Sequence, residues 1–380
     1  MDQPVPGECK VVVDGIYFQL ARTGIARVWE SVLQEWSSTD FARQITVLDR
    51  GRTPRHAGLR YRQIPPFRFA DPGAVADEPW ILQDVCAEEG ADVFVSTYYT
   101  SPARTPSVFL CHDMIPERLG FDLDRPMWRL KHLGIRHAAS FVCVSEHTAR
   151  DLKQFLGPED ARAITVAYPG VHPCYCKAPA EEVRTWLRML GIAQPYFLLV
   201  GADRCGSHKN PELVFDALSL LPDSGRCHVV CTGAYAARLR DEVSERYPEI
   251  ADRVVAAQLT QRGLAVAYSG AVALIYPSRY EGFGLPVLEA MACECPVIAC
   301  RVASIPEIAG DLALYIDPDD PRGLSEVLGG LLERQPRAAD DPSLQQRLRL
   351  GRERAENFSW HSTAAIIRTV LLETARSSPT

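Results

Sequence analysis

Two carboxylates, Glu281 and Glu289, stand eight positions apart around a glycine-rich turn within residues 277–296, Pro-Ser-Arg-Tyr-Glu-Gly-Phe-Gly-Leu-Pro-Val-Leu-Glu-Ala-Met-Ala-Cys-Glu-Cys-Pro. The run before them, Ala271 to Tyr276, is short and apolar throughout, the pattern of a parallel strand buried on both faces. Just past its end, Gly282 and Gly284 break regular structure and let the backbone approach a ligand. Pro286 then suits the first turn of a helix, where its missing N–H leaves nothing unpaired. The free N–H groups and positive dipole end of that helix face the loop and can hold a diphosphate without dedicated side chains. Glu289 lies beside that anion site in the first turn, so the stretch suits a phosphorylated sugar.

Three other places combine a strand end with reactive or permissive residues. Arg204 and Lys209 follow the buried strand Tyr196 to Gly201, ahead of a helix opening at Pro211. Fixed cations there can stabilise the charge that builds on a departing diphosphate. His112 and Asp113 follow the strand ending at Leu110, and Gly24 sits in Arg22-Thr23-Gly24-Ile25-Ala26-Arg27 after the first strand. Asp122-Leu123-Asp124 has the form of a metal-binding D-x-D tripeptide, but it lies between two helical regions rather than at a strand end. No metal is expected there.

Short apolar runs alternate with helical stretches along the whole chain, which predicts an α/β fold of doubly wound sheets. In the first half the strands are Lys10 to Val13, Gln44 to Leu48, Val93 to Ser96, Ser107 to Leu110, Phe141 to Ser145 and Ala163 to Ala167. In the second they are Tyr196 to Gly201, His228 to Thr232, Val254 to Ala257, Ala271 to Tyr276, Pro296 to Ala299 and Leu314 to Ile316. Pro169-Gly170 and Pro173 punctuate the chain before a helical run from Glu181, so two domains are expected, 1–172 and 173–357.

With 380 residues, 47% of them hydrophobic, the chain is long enough for two such domains. The net charge of −7 is shared evenly by the halves, with 19 basic and 22 acidic residues in 1–172, so nucleic acid is not an expected partner. No apolar run reaches membrane-spanning length, and Met-Asp-Gln-Pro-Val-Pro-Gly-Glu lacks a signal-peptide pattern; a cytoplasmic location is expected. The twelve cysteines are scattered without a C-x2-C pair and read as reduced thiols. Two basic stretches, Arg50 to Ala70 and Arg125 to His137, could meet anionic lipid or an anionic glycan, giving peripheral contact with the inner face of a membrane.

The acid–Gly-Phe-Gly-Leu-Pro–acid stretch closely resembles the E-x7-E hallmark of the family 4 retaining glycosyltransferases. That resemblance extends over almost the whole chain. It implies the GT-B architecture: two Rossmann-like domains facing across a cleft, the N-terminal one holding the acceptor and the C-terminal one the nucleotide sugar. It also implies that the segment from Phe358-Ser359-Trp360 to about residue 375 returns to the N-terminal domain. By the same resemblance Glu281 supports the transferred sugar with the backbone of Gly282, Phe283, Gly284 and Leu285, and Glu289 accepts from ribose hydroxyls. Lys209 and Arg204 serve the leaving diphosphate, Arg204 taking the arginine position seen in glycogen- and sucrose-synthase-like relatives because His208 stands where arginine is commoner. Gly24 matches the second glycine of the family's Gly-Gly-Ile-Gly-Arg loop, and His112 matches a histidine near the sugar. Ser145-Glu146-His147 resembles a family segment without an assigned role.

The expected activity is metal-independent, configuration-retaining transfer of a hexose to a hydroxyl of a glycan or lipid-linked acceptor. GDP-mannose and UDP-glucose are the favoured donors, because the His112 and Lys209 segments resemble bacterial mannosyl- and glucosyltransferases of polysaccharide assembly. The donor is a substrate, and no resident cofactor is expected. A UDP-sugar 2-epimerase-like enzyme and an inactive glycan-binding homologue are the alternatives. A nicotinamide enzyme is excluded because no G-x-G-x-x-G follows the first strand.

Overall fold

A computed structural model describes residues 9–69, 71–193, 195–221, 227–335 and 340–377. The N-terminal octapeptide, on which the location rests, lies outside them. The chain divides into two compact units, one of residues 1–170 with 359–380 and one of residues 171–358.

The first unit is built on seven parallel strands: β1 (Val11–Asp14), β2 (Ile45–Asp49), β3 (Arg60–Gln63), β4 (Val93–Ser96), β5 (Ser107–Cys111), β6 (Ser140–Cys143) and β7 (Ile164–Val166). Their order is β3-β2-β1-β4-β5-β6-β7, a doubly wound sheet whose strand sequence reverses between β1 and β4. Its helices are α1 (Ile16–Leu20), α2 (Gly24–Ser37), α3 (Pro72–Glu89), α4 (Ile115–Arg118), α5 (Pro126–His137) and α6 (Glu146–Leu156). Strands β1, β2, β4, β5 and β6 are buried at every position, as Val- and Phe-rich parallel strands covered on both faces must be. Edge strand β3, Arg-Tyr-Arg-Gln, is polar and half exposed.

The second unit has six parallel strands: β8 (Tyr196–Val200), β9 (His228–Thr232), β10 (Val254–Ala257), β11 (Ala273–Tyr276), β12 (Val297–Cys300) and β13 (Leu314–Ile316). The order β10-β9-β8-β11-β12-β13 repeats the doubly wound plan, with its reversal between β8 and β11. The helices are α7 (Ala180–Leu190), α8 (Pro211–Ser219), α9 (Ala236–Arg246), α10 (Gln261–Gly270), α11 (Leu285–Ala292), α12 (Ile305–Ala309), α13 (Pro321–Arg334) and α14 (Pro342–Ala355). Phe197, Leu199, Val229, Ile275 and Ile298 join Leu213, Val214, Phe215, Leu324 and Leu328 in one apolar core.

Helix α15 (Trp360–Ser377) completes the first unit. It buries Ala364, Ile367, Val370 and Leu371, its Ala364 carbonyl accepts from Trp36 Nε1 at 2.9 Å, and Thr374 and Ser140 hydroxyls lie 2.6 Å apart. The chain approaches so closely here that a Cβ on Gly170 would meet the Trp360 backbone nitrogen at 2.2 Å. All twelve cysteines are free.

Candidate functional site

Glu281 and Lys209 come from the loops after β11 and β8, the two strands flanking the reversal of the second sheet, and a doubly wound sheet binds ligands at that point. Helix α11 opens with Gly284 as its N-cap at φ +115°, one residue before Leu285 and two before Pro286. A side chain at 284 is excluded twice over: the backbone lies where L-residues rarely go, and a Cβ would sit 2.8 Å from Ile305 Cδ1. The loop is held from outside. Ser304, fully buried, donates its hydroxyl to the carbonyls of Glu281 at 3.0 Å and Phe283 at 2.6 Å. Gly282, Phe283 and Gly284 are buried and Leu285 is half-buried.

The two loops are stitched together. Asn210, in the left-handed region at φ +53° as N-cap of α8, donates from Nδ2 to the carbonyls of Pro277 at 3.3 Å and Pro318 at 2.9 Å. The Arg279 N–H donates to the His208 carbonyl at 2.8 Å. These bonds fix Lys209 beside Glu281, and Lys209 Nζ donates to Glu281 Oε1 at 2.7 Å. Nζ also lies 5.6 Å from the centre of the Tyr276 ring. Burial pushes the Glu281 carboxyl up, but Lys209 and His208 outweigh it and hold the pKa below the ordinary value, so the group is a carboxylate at neutral pH. The Lys209 ammonium keeps about a quarter of its side chain in solvent, where a diphosphate can reach it, since 23% remains exposed. Glu289, 3% exposed on α11, accepts from Tyr268 Oη of α10 at 3.1 Å.

Arg204 does not join this pair. Its side chain is exposed, and its backbone N–H donates to Asp203 Oδ1 at 3.0 Å. His208 is the residue close enough to bear on the Glu281 charge.

In the first unit His112 follows β5 directly, 7% exposed. Burial, aided by the positive charge of Lys131 and opposed by Asp113, pushes its pKa down to about 4. The imidazole is therefore neutral at pH 7, and its buried Nε2 has no hydrogen-bond partner. Lys131 is itself fully buried, donating to the Asp113 carbonyl at 3.0 Å and to Glu117 Oε2 at 2.7 Å. Gly24 is the first residue of α2, and Thr23 before it turns its hydroxyl to that of Tyr17 rather than to the helix N–H groups. Helix α1 separates it from β1, where the sequence placed the loop directly after the strand. Ser145 caps α6 by accepting from the Thr148 N–H at 3.0 Å. Asp122 Oδ1 accepts from the Asp124 N–H at 3.2 Å, which makes that tripeptide a turn.

The basic stretch from Arg50 to Ala70 is largely neutralised, contrary to its reading as an anion-facing surface. Arg50 is buried and bonded to Asp14 at 2.8 Å and to Glu78, Arg55 reaches Asp49 at 2.6 Å, and Arg60 and Arg62 both reach Glu89 at 3.0 Å. Those acids come from β1, β2 and α3, so the stretch alone could not reveal them. On α5, Lys131 and His132 are likewise held by Glu117. Arg129 and Arg136 remain exposed, Arg125 lies 3.7 Å from Asp122, and Leu119 and Phe121 before α5, Leu133 on it and Phe155 on α6 are exposed apolar side chains. Phe121 packs on Trp128 and Phe155 on His132. Among the described residues, no helix is long and apolar enough to cross a membrane, and no group of three His, Cys, Asp or Glu is arranged to hold a metal.

Residues 22–174 match the family model described as Glycosyltransferase Family 4, and residues 194–334 match that described as Glycosyl transferases group 1. The O-antigen chain mannosyltransferase RfbU of Salmonella typhimurium is 35% identical over 254 residues, covering 66% of this chain and 67% of that protein. The O-antigen chain mannosyltransferase B of Escherichia coli is 27% identical over 260 residues, covering 67% of this chain and 65% of that one. The chain thus matches about two thirds of the length of these relatives. The sucrose-phosphate synthase of Thermosynechococcus elongatus has the same fold, with a TM-score of 0.76 at 18% identity over 98% of this chain and 100% of that structure.

Proposed function

The chain belongs to glycosyltransferase family 4, and from that premise we propose that it moves a hexose from a nucleotide diphosphate sugar to a hydroxyl of a glycan or lipid-linked acceptor, with retention and without a metal. The observation that carries this reading is the Lys209–Glu281 pair at the reversal of the second sheet, beside the glycine-capped start of α11. At the ends of two neighbouring strands, the cation and the helix N-terminus match the diphosphate of a nucleotide sugar, and the carboxylate matches its hexose.

In this reading Lys209 stabilises the charge on the departing diphosphate, with His208 or Arg204 as the second group. Glu281 accepts from hexose hydroxyls, and Glu289 from ribose hydroxyls. Neutral His112, with Nε2 unpaired, offers a hydrogen bond to the sugar, and Gly24 offers backbone to the donor phosphate, as the family resemblance implies. No side chain is an evident nucleophile, so retention follows from front-side attack, in which the departing phosphate oxygen takes the proton of the incoming hydroxyl while the glycosidic bond breaks on the same face.

GDP-mannose and UDP-glucose are the candidate donors, and the mannosyltransferase relatives favour the first. Those relatives act on O-antigen chains, which supports a role in polysaccharide synthesis. The exposed apolar side chains Leu119, Phe121, Leu133 and Phe155, with the exposed cations Arg129 and Arg136, support peripheral contact with an anionic membrane, where a lipid-linked acceptor resides.

A thermal-shift panel of nucleotide sugars in the presence of chelator tests the donor assignment. One of the two named donors should raise the melting temperature of the wild-type protein, and that of Glu289→Ala by less. Protection by neither donor would refute the assignment.

A further inference from the structure

The second sheet has two ends, and the site above uses only the end where the strands finish. Where β11, β12 and β13 begin, a cavity of about 350 Å³ lies among the strand starts, the C-terminal ends of α11 and α13, and α14. Six aliphatic side chains line it, Val272, Val297, Leu314, Leu331, Leu344 and Leu348, beside the polar Ser269, Gln335, Ser343 and Gln345. Three cations also line it, Lys177, Arg334 and Arg347, against two acids, Glu294 and Asp341.

Both acids are engaged. Asp341 caps α14, accepting from the N–H groups of Ser343 at 3.0 Å and Leu344 at 3.1 Å, and Glu294 Oε1 lies 3.3 Å from Arg352 Nε. Neither Arg334 nor Arg347 has an ion-pair partner among the described residues, and Lys177 Nζ makes a long 3.5 Å contact with the Glu294 carbonyl. Glu294 holds that carbonyl in place from the left-handed region, at φ +54°. That conformation ends α11 as a left-handed cap, the Glu294 N–H bonding the Met291 carbonyl at 3.0 Å and the Cys295 N–H the Ala290 carbonyl at 2.9 Å.

The lining discriminates among ligand classes. A neutral apolar molecule would cover the wall and leave the cations unmatched. A small inorganic anion would satisfy the cations and leave the wall wet, forgoing the burial of apolar surface. We propose that this cavity is a second ligand site, separate from the sugar-nucleotide site, that takes a small amphipathic anion: an apolar chain bearing one carboxylate or phosphate. Its volume falls at the lower end of small-molecule sites. Arg334 and Arg347 hold the headgroup, and the six aliphatic side chains hold the chain.

Calorimetric titration of the full chain with decanoate, decyl phosphate, decanol and inorganic phosphate, each below its aggregation concentration, tests this. One of the two amphipathic anions should bind once per chain, at least about tenfold tighter than decanol and than inorganic phosphate. The better headgroup identifies the source as a carboxylate or a phosphate. Reversing both charges, exposed Arg334→Glu with half-buried Arg347→Glu, should weaken that anion by about tenfold or more while leaving decanol and nucleotide titrations unchanged. Equal binding of decanol and the anions, equal binding of inorganic phosphate, or indifference to charge reversal would each overturn the proposal. The comparison of probes on the wild-type protein decides it even if the double variant folds poorly.

Discussion

Glu281 and Glu289 are both buried carboxylates on one βα turn, yet their partners differ, a cation for the first and a tyrosine hydroxyl for the second. Glu289→Ala is expected to weaken binding of free GDP or UDP by about 1 to 3 kcal/mol, the range for a hydrogen bond to a charged group. Glu281→Ala should leave that affinity nearly intact and strongly reduce turnover. Calorimetric titration with nucleotide alone separates them, and equal losses in both variants would contradict the assignment. His112 supplies a pH test. Its folded pKa of about 4 lies below the ordinary value of 6.5, so the unfolded chain binds more protons between the two. Stability from the neutral imidazole is complete above pH 6.5 and is lost as pH falls towards 4, in total roughly 3 kcal/mol. Urea unfolding of wild type and His112→Gln across that window should show the wild type losing more; parallel curves would contradict a neutral buried histidine. Glu281, Glu289 and Lys209 were legible because each belongs to a short motif at a strand end. Ser304 and Asn210, which hold their loops, were not, because isolated serines and asparagines acquire that role only when distant carbonyls are brought to them. Choosing Arg204 over His208 shows the same limit: spacing favours one, while the electrostatics at Glu281 involve the other.

At the scale of elements, α11 and its cap test whether the loop must keep its shape. Gly284→Ala places a side chain at φ +115° against Ile305 and is expected to destabilise the second unit by about 1 to 3 kcal/mol and to reduce nucleotide affinity. Urea unfolding with nucleotide titration reads both, and an unperturbed variant would show that the backbone there is unimportant. The central strands were legible because parallel strands buried on both faces must be continuously apolar, as in Val-Val-Val and Tyr-Phe-Leu-Leu-Val. Strand β3 was not: an edge strand of alternating arginines carries no apolar signal, and Arg60 and Arg62 make sense only against Glu89 of α3. The α5 surface gives a further expectation. Substituting Phe121, Leu133 and Phe155 by serine should reduce co-sedimentation with vesicles containing anionic phospholipid and leave turnover of free donor unchanged; undiminished sedimentation would remove the membrane reading.

At the scale of the molecule, α15 lies at the far end of the sequence yet belongs to the first unit, with Ile367, Val370 and Leu371 buried there. A chain ending at Phe358 should lose the melting transition of the first unit in calorimetry and keep a second unit that binds nucleotide. Two intact transitions would contradict that dependence. Metal-free stabilisation of the leaving diphosphate by protein cations is the step on which the proposed function turns. Its most direct test is the rate at which nucleotide is released from GDP-mannose and UDP-glucose by wild type and Lys209→Ala, each with and without chelator. The expected result is release from at least one donor, unaffected by chelator and slowed about a hundredfold or more in Lys209→Ala, the effect of removing a preorganised charge-stabilising donor. Release that stops in chelator and returns with magnesium or manganese, or that Lys209→Ala leaves unchanged, would contradict it.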